Sequence, residues 1–169
     1  MKYFYMNIFL LFAVIANLNC GVYGFRGNNP PEGINTIAVP EFKDLSGFSD
    51  PTLSDNFTQI LKTNIISDNT FRIADRKISD GILKCTIKTV KDEALVIASG
   101  ENVTKRKLTI YVEVIFENLK TQKLIWNRTF ENYGEYDSSG DSFSERNTGI
   151  NIAVGKICDD IVIDLTSDW

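Results

Sequence analysis

The sequence predicts an α+β fold: a two-layer sandwich in which a four-stranded, mainly antiparallel sheet carries two helices on one face, in the order βαβββα. Three observations lead there. Leu108, Ile110, Val112, Val114 and Phe116 alternate with Thr109, Tyr111 and Glu113, the period of two that belongs to a half-buried strand. Leu53, Phe57, Ile60, Leu61 and Ile65 recur at helical spacing, as do Ile150, Val154, Ile157, Ile161 and Leu165. Asn118 to Lys123 makes a short turn between the last two strands, and successive strands joined by short loops run antiparallel.

Taken from the start, residues 1–19 read as a signal peptide. Lys2 supplies a charge and Ile8 to Ala16 is an unbroken apolar run, well short of the roughly 20 residues that cross a bilayer. Cys20 stands just behind it, followed by Gly21. That arrangement suits a bacterial lipoprotein whose mature chain begins at Cys20, with diacylglycerol on the thiol and an acyl chain on the new amino terminus. Such sites usually carry Leu three residues before the cysteine and a small residue next to it, where this chain has Asn17 and Asn19. On these residues alone, a plain secreted protein with a cysteine near its start stays open. Residues 20–33, rich in Gly, Asn and Pro, read as an extended tether, and residues 34–169 as one α+β domain.

Within that domain INTIAVPEF gives a first strand that Pro40 ends or places at an edge. Asp50 before Pro51 predicts a helix start, with the helix running over about 51–66. Leu83, Cys85 and Ile87 alternate with Lys84, Thr86 and Lys88 in a second strand. Leu108 to Phe116 is the third, and Leu124, Trp126 and Phe130 point one way in the fourth. The last apolar series, Ile150 to Leu165, is a second helix. Both helices cover one sheet face, leaving the other polar and open to water or a partner.

Composition narrows the function. With 169 residues, 43% hydrophobic and 24% charged, the chain can bury a core without a disulfide framework. The acidic balance, 18 Lys+Arg against 22 Asp+Glu, argues against nucleic acid as a partner. There is no histidine, which removes His-based triads and His-containing metal sites. Cys20, Cys85 and Cys158 are too scattered for a CxxC motif. Cys85 and Cys158 fall on core faces as packed thiols, although an oxidising compartment permits a disulfide. Asn56, Asn102 and Asn127 begin N-x-T sequences, chance matches in a bacterial chain. Asp159 and Asp160 diverge on a helix and read as a solvated face.

The ordered set CGVYGF, NNPPEG, INTIAVPEF, DPTLSDNFTQILKTNI, KRKLTIYVEVIFEN, FENYGEYDSS and a final helix ending in SDW resembles the LPS-assembly lipoproteins of the LptE type, in the form found in Bacteroidetes-like bacteria. The resemblance implies an outer-membrane lipoprotein facing the periplasm, anchored by diacylglycerol and an acyl chain on Cys20. It would plug and help assemble the LPS-translocon β-barrel, and take part in placing lipopolysaccharide in the outer leaflet. It implies no reaction, no metal and no other cofactor.

Lys105, Arg106 and Lys107 are the one tight basic triplet. Beside such a family they are the candidates for binding the phosphates of lipid A through charge-assisted hydrogen bonds, against a solvated hairpin that discourages edge pairing. Tyr133, Tyr136 and Asp137, with Ser138 and Ser139, are candidates for contact with the barrel wall, against merely covering the end of the sheet. INTIAVPEFKDLSG is also similar to the opening of lipoproteins related to curli-type secretion subunits and cell-wall synthase activators. A carboxylate-only hydrolase finds no acidic pair across an expected cleft.

Overall fold

The computed structural model describes residues 30–97, 103–138 and 142–167. In chain order these form β1 (Thr36–Ala38), β2 (Lys43–Asp44), α1 (Leu53–Asp68), β3 (Arg72–Ile73), β4 (Gly81–Ile97), β5 (Val103–Asn118), β6 (Lys123–Asp137) and α2 (Ser142–Leu165). Every element expected from periodicity is present. The additional strands, β2 and β3, have two residues each, too few for a period to register.

Those two strands change the sheet. Strands β4, β5 and β6 are antiparallel neighbours, whereas β1 and β2 lie one after the other along the far side of β4, both parallel to it. Strand β3 pairs with β1, again parallel. The sheet is therefore six-stranded and mixed, correcting the four-stranded, mainly antiparallel expectation. The cause is α1, because a strand–helix–strand passage returns the chain in its original direction. Between Ala38 and Lys43 the outer line takes one residue more than β4 does between Ile82 and Thr86. Pro40, with no N–H to give a ladder, falls in that gap. Phe42 then turns inward and stacks on Phe57, ring centroids 4.9 Å apart.

Helix α1 begins later than expected. Asp50 Oδ1 accepts the N–H and hydroxyl of Thr52, so its carboxylate closes the turn ahead of the helix and Thr52 holds the N-cap position. Asn69 ends it in the left-handed conformation (φ 61°), donating its N–H to the Ile65 carbonyl. Asn56 Nδ2 donates to Asn151 Oδ1 and Asn64 Nδ2 to Asp159 Oδ1, each at 2.8 Å and each across 95 residues of sequence. A constant interval means that α1 and α2 run parallel.

Both helices close over Leu83, Cys85 and Ile87 of β4 and over the Ile110–Phe116 series of β5, forming one apolar layer with Phe57, Leu61, Val154, Ile157 and Ile161. Burying each such side chain contributes about 1.5–3 kcal/mol. On the opposite face Lys84 pairs with Glu117 at 2.6 Å and Lys88 with Glu113 at 3.3 Å, while Lys91 lies over the Tyr111 ring. The polar face expected from alternation is there.

Register shifts break strict alternation, two of them near the end of β4 at Ala94–Ile97. Another, between Ile87 and Thr89, leaves Lys88 as the extra residue, so that Val90 faces Ile110 and Asp92 faces Leu108. A fourth, at Phe116 and Glu117, puts Leu124 opposite Glu117. Leu124 is thus exposed on the polar face, a correction to its expected place beside Trp126.

One carboxylate ties three segments together. Asp80, just before β4, accepts the N–H groups of Asn35 and Thr36 and the Thr36 hydroxyl through Oδ2, and Lys120 from the β5–β6 turn reaches Oδ1. Leu119 N–H donates to the Asp80 carbonyl. The Lys120 ammonium first, and the backbone donors after it, hold the Asp80 carboxyl well below the usual carboxylate range.

Candidate functional site

Strand alternation splits the basic triplet. Arg106 lies in β5 on the face of Leu108 and Ile110, toward the helices, while Lys105 and Lys107 take the opposite face. The three therefore present no single cationic surface, and they sit inside a strand rather than at its turn.

Arg106 is held in a half-buried network. Its Nε donates to Asp92 Oδ1 at 2.8 Å and a terminal nitrogen to the Asp92 carbonyl at 3.0 Å. Tyr136, itself buried, donates its hydroxyl to Asp92 Oδ2 at 2.8 Å, and Arg146 of α2 lies 3.3 Å from the same oxygen with its guanidinium over the Phe48 ring. Hydrogen bonding to Asp92 raises the Arg106 pKa further; burial, then the Asp92 bond, raises that of Tyr136. Tyr136, one of the expected barrel-contact residues, is thus buried and closes the inside of the sheet. The Lys88 bulge brings Asp92 here, so reading Leu83, Cys85 and Ile87 forward at a strict period of two misses it.

Tyr133 faces outward, 39% exposed, and gathers two cations. The Lys107 ammonium lies 4.2 Å from its ring centroid and that of Lys156, from α2, 4.7 Å. Lys156 Nζ also donates to the Tyr133 carbonyl at 3.0 Å. Lys107 stands across from Glu135 in register, yet its ammonium lies over the ring. Among the described residues neither lysine has a carboxylate within ion-pair distance. Tyr133 N–H donates to Asn132 Oδ1, and Asn132 Nδ2 donates to Asp160, so both backbone groups of Tyr133 on this outermost strand are occupied by side chains. That arrangement discourages strand addition there.

Two like charges converging on one phenol repel each other, and the electron-rich ring offsets that only in part. An anion set between them would accept charge-assisted hydrogen bonds from both. Chemically, then, Lys107, Tyr133 and Lys156 form an anion-receptive corner at the sheet edge. One residue of the expected lipid-A triplet and one of the expected barrel contacts meet there. Lys156 was missed because nothing in a helix sequence says which strand edge its long side chain will reach.

Asp137 is exposed at the end of β6, opposite Lys105. Cys85 and Cys158 are both buried and unbridged, and burial pushes both thiols up. Among the described residues no group of His, Cys, Asp and Glu is placed to hold a metal ion, and no helix is long and apolar enough to cross a membrane. Cys20, the signal peptide, Asn102, Ser139 and Trp169 lie outside the described residues.

No family model and no curated protein matches the chain. Solved structures do. The fold is similar to that of protein XCC0632 from Xanthomonas campestris, of family DUF330, at 12% identity over 81% of this chain and 86% of that one, with a TM-score of 0.60. Protein CT253 from Chlamydia trachomatis aligns at 9% identity over 79% and 96%, TM-score 0.58. A minor lipoprotein from Acinetobacter baumannii aligns at 11% identity over 79% and 93%, TM-score 0.54. At such identities the likeness is one of fold.

Proposed function

We propose that this protein is an outer-membrane lipoprotein, acylated at Cys20 and facing the periplasm, that plugs and assists an LPS-translocon β-barrel without catalysing a reaction. The convergence of Lys107 and Lys156 on Tyr133, with no carboxylate among the described residues at ion-pair distance, carries the reading, because a lipid A phosphate would satisfy both ammoniums at once. Two further observations support it. The ordered motifs resemble the LptE type, and a minor lipoprotein shares the fold.

The test uses the full chain in detergent. Replacing Lys107 and Lys156 together by Ser is expected to weaken LPS binding by about tenfold or more, the loss of about 1.4 kcal/mol or more, with the fold intact by circular dichroism. Unchanged binding rules the corner out as the phosphate site. Affinity purification from detergent-solubilised outer membranes then tests the partner. Recovery of an LPS-translocon barrel supports the assignment, and reproducible recovery of a different envelope machine, such as a curli-type secretion complex, replaces it.

A further inference from the structure

The two ends of the domain differ in their charge. Where β4 ends and α1 and α2 begin, exposed Leu45, Leu95 and Phe143 stand among charges of both signs, Asp44, Asp50, Glu93 and Glu145 with Lys43, Lys91 and Lys105. At the opposite end, where the chain enters through Pro30–Asn35 and β1, β4 and β6 begin, the apolar residues stand among cations instead. Ile78 is 76% exposed, the most exposed large apolar side chain among the described residues. It sits in a turn fixed by two hydrogen bonds, the N–H groups of Ile78 and Ser79 both donating to the Asp75 carbonyl. Arg76 and Lys77 directly precede it, and Arg72, Lys120, Lys123 and Leu124 are exposed nearby in the chain segments that meet at Asp80. Of the carboxylates at this end, Asp80 is buried and taken by Lys120, Glu117 is paired with Lys84, exposed Asp75 accepts the Lys77 N–H, Asp68 accepts the Thr70 hydroxyl and Glu32 is exposed.

We infer that this entry end rests on an anionic lipid surface, with Ile78 in the headgroup layer and Arg76, Lys77 and Lys123 against lipid phosphates. The inference rests on the reading of Cys20 as the acylated residue. From Cys20 to Pro30 a fully extended chain spans at most about 35 Å, and a flexible one of that length averages about 17 Å, so the entry end cannot stand far from the bilayer. The acyl chains supply the affinity. The surface contact needs only to orient a domain already held at high local concentration. Basic residues around an apolar tip favour anionic headgroups.

The experiment uses the full acylated chain reconstituted in vesicles of phosphatidylcholine with phosphatidylglycerol. One variant carries Ile78→Cys and a second Leu45→Cys, each labelled with an environment-sensitive fluorophore; the buried thiols of Cys85 and Cys158 stay unlabelled in the folded protein. With nitroxide-bearing lipid present, quenching at position 78 is expected to be several-fold stronger than at position 45, and to fall when Lys77 and Lys123 are both replaced by Ser. Equal quenching at the two positions, with the protein floating on the vesicles, overturns the end-on contact and leaves the anchor standing. Failure of the protein to float overturns the anchor, and the contact with it.

Discussion

Gly134 on β6 and Gly149 on α2 press backbone to backbone: a Cβ added at Gly134 would run straight into the Gly149 carbonyl. Helix and edge strand are this close only because neither residue has a side chain. Gly134→Ala must push α2 off the sheet, and the expected cost is about 1–3 kcal/mol or more, read as a lower urea midpoint. Since Tyr133 precedes Gly134 and Lys156 rides on α2, the same variant is expected to weaken anion binding at the corner. A fully stable Gly134→Ala protein would mean that the two backbones can separate at little cost.

Tyr136→Phe separates a structural role from an interface role. Loss of the hydroxyl to the Asp92 carboxylate should destabilise the domain by about 1.5–3 kcal/mol, the range for bonds to charged groups. Arg106 and Arg146 stay on Asp92, so the fold should survive. Capture of a barrel partner is expected to be unchanged, and its selective loss in a stable variant would put Tyr136 at the interface after all.

Asp80 sets the acid limb of the stability curve. Its folded pKa lies below its unfolded value of about 3.9. The stabilisation is therefore fully present above that value and is lost as pH falls from about 4 toward the folded pKa. Urea midpoints from pH 7 to pH 2 should drop across this window in the wild type. Asp80→Asn should start lower at pH 7 and show a shallower fall, and parallel curves for the two proteins would contradict the assignment.

The thiols give a further check. Burial disfavours the thiolate of both Cys85 and Cys158, so native protein at mildly alkaline pH should resist alkylation. After denaturation without reductant both should react. A mass showing neither modified in the denatured chain would reveal a disulfide.

What the sequence conveyed depended on how far one periodicity ran without interruption. Leu108 to Phe116 announced its strand, and the facing of Arg106 and Tyr136 was already implicit: counting back by twos from Leu108, and forward from Trp126, turns both inward. The extra residue at Lys88 was not visible, because a bulge leaves composition unchanged while inverting every later side chain, and so Asp92 went unnoticed. The parallel pairing of β1 was hidden for another reason. Direction is a property of the connection, and the two residues of β3 gave no sign that the chain had come back alongside.

The junction at Asp80 has a consequence in time. The bonds from Asn35 and Thr36 close across about 45 residues of sequence, whereas the β5–β6 pairing closes over one short turn. Longer closures carry the larger entropy cost and form later. The antiparallel strands should therefore assemble first, and β1 should be seated last, when Lys120 has already brought its charge to Asp80. Pulse-labelled hydrogen exchange during refolding should find amides of β5 and β6 protected ahead of those of Asn35 and Thr36, making β1 the latch of the domain rather than its foundation.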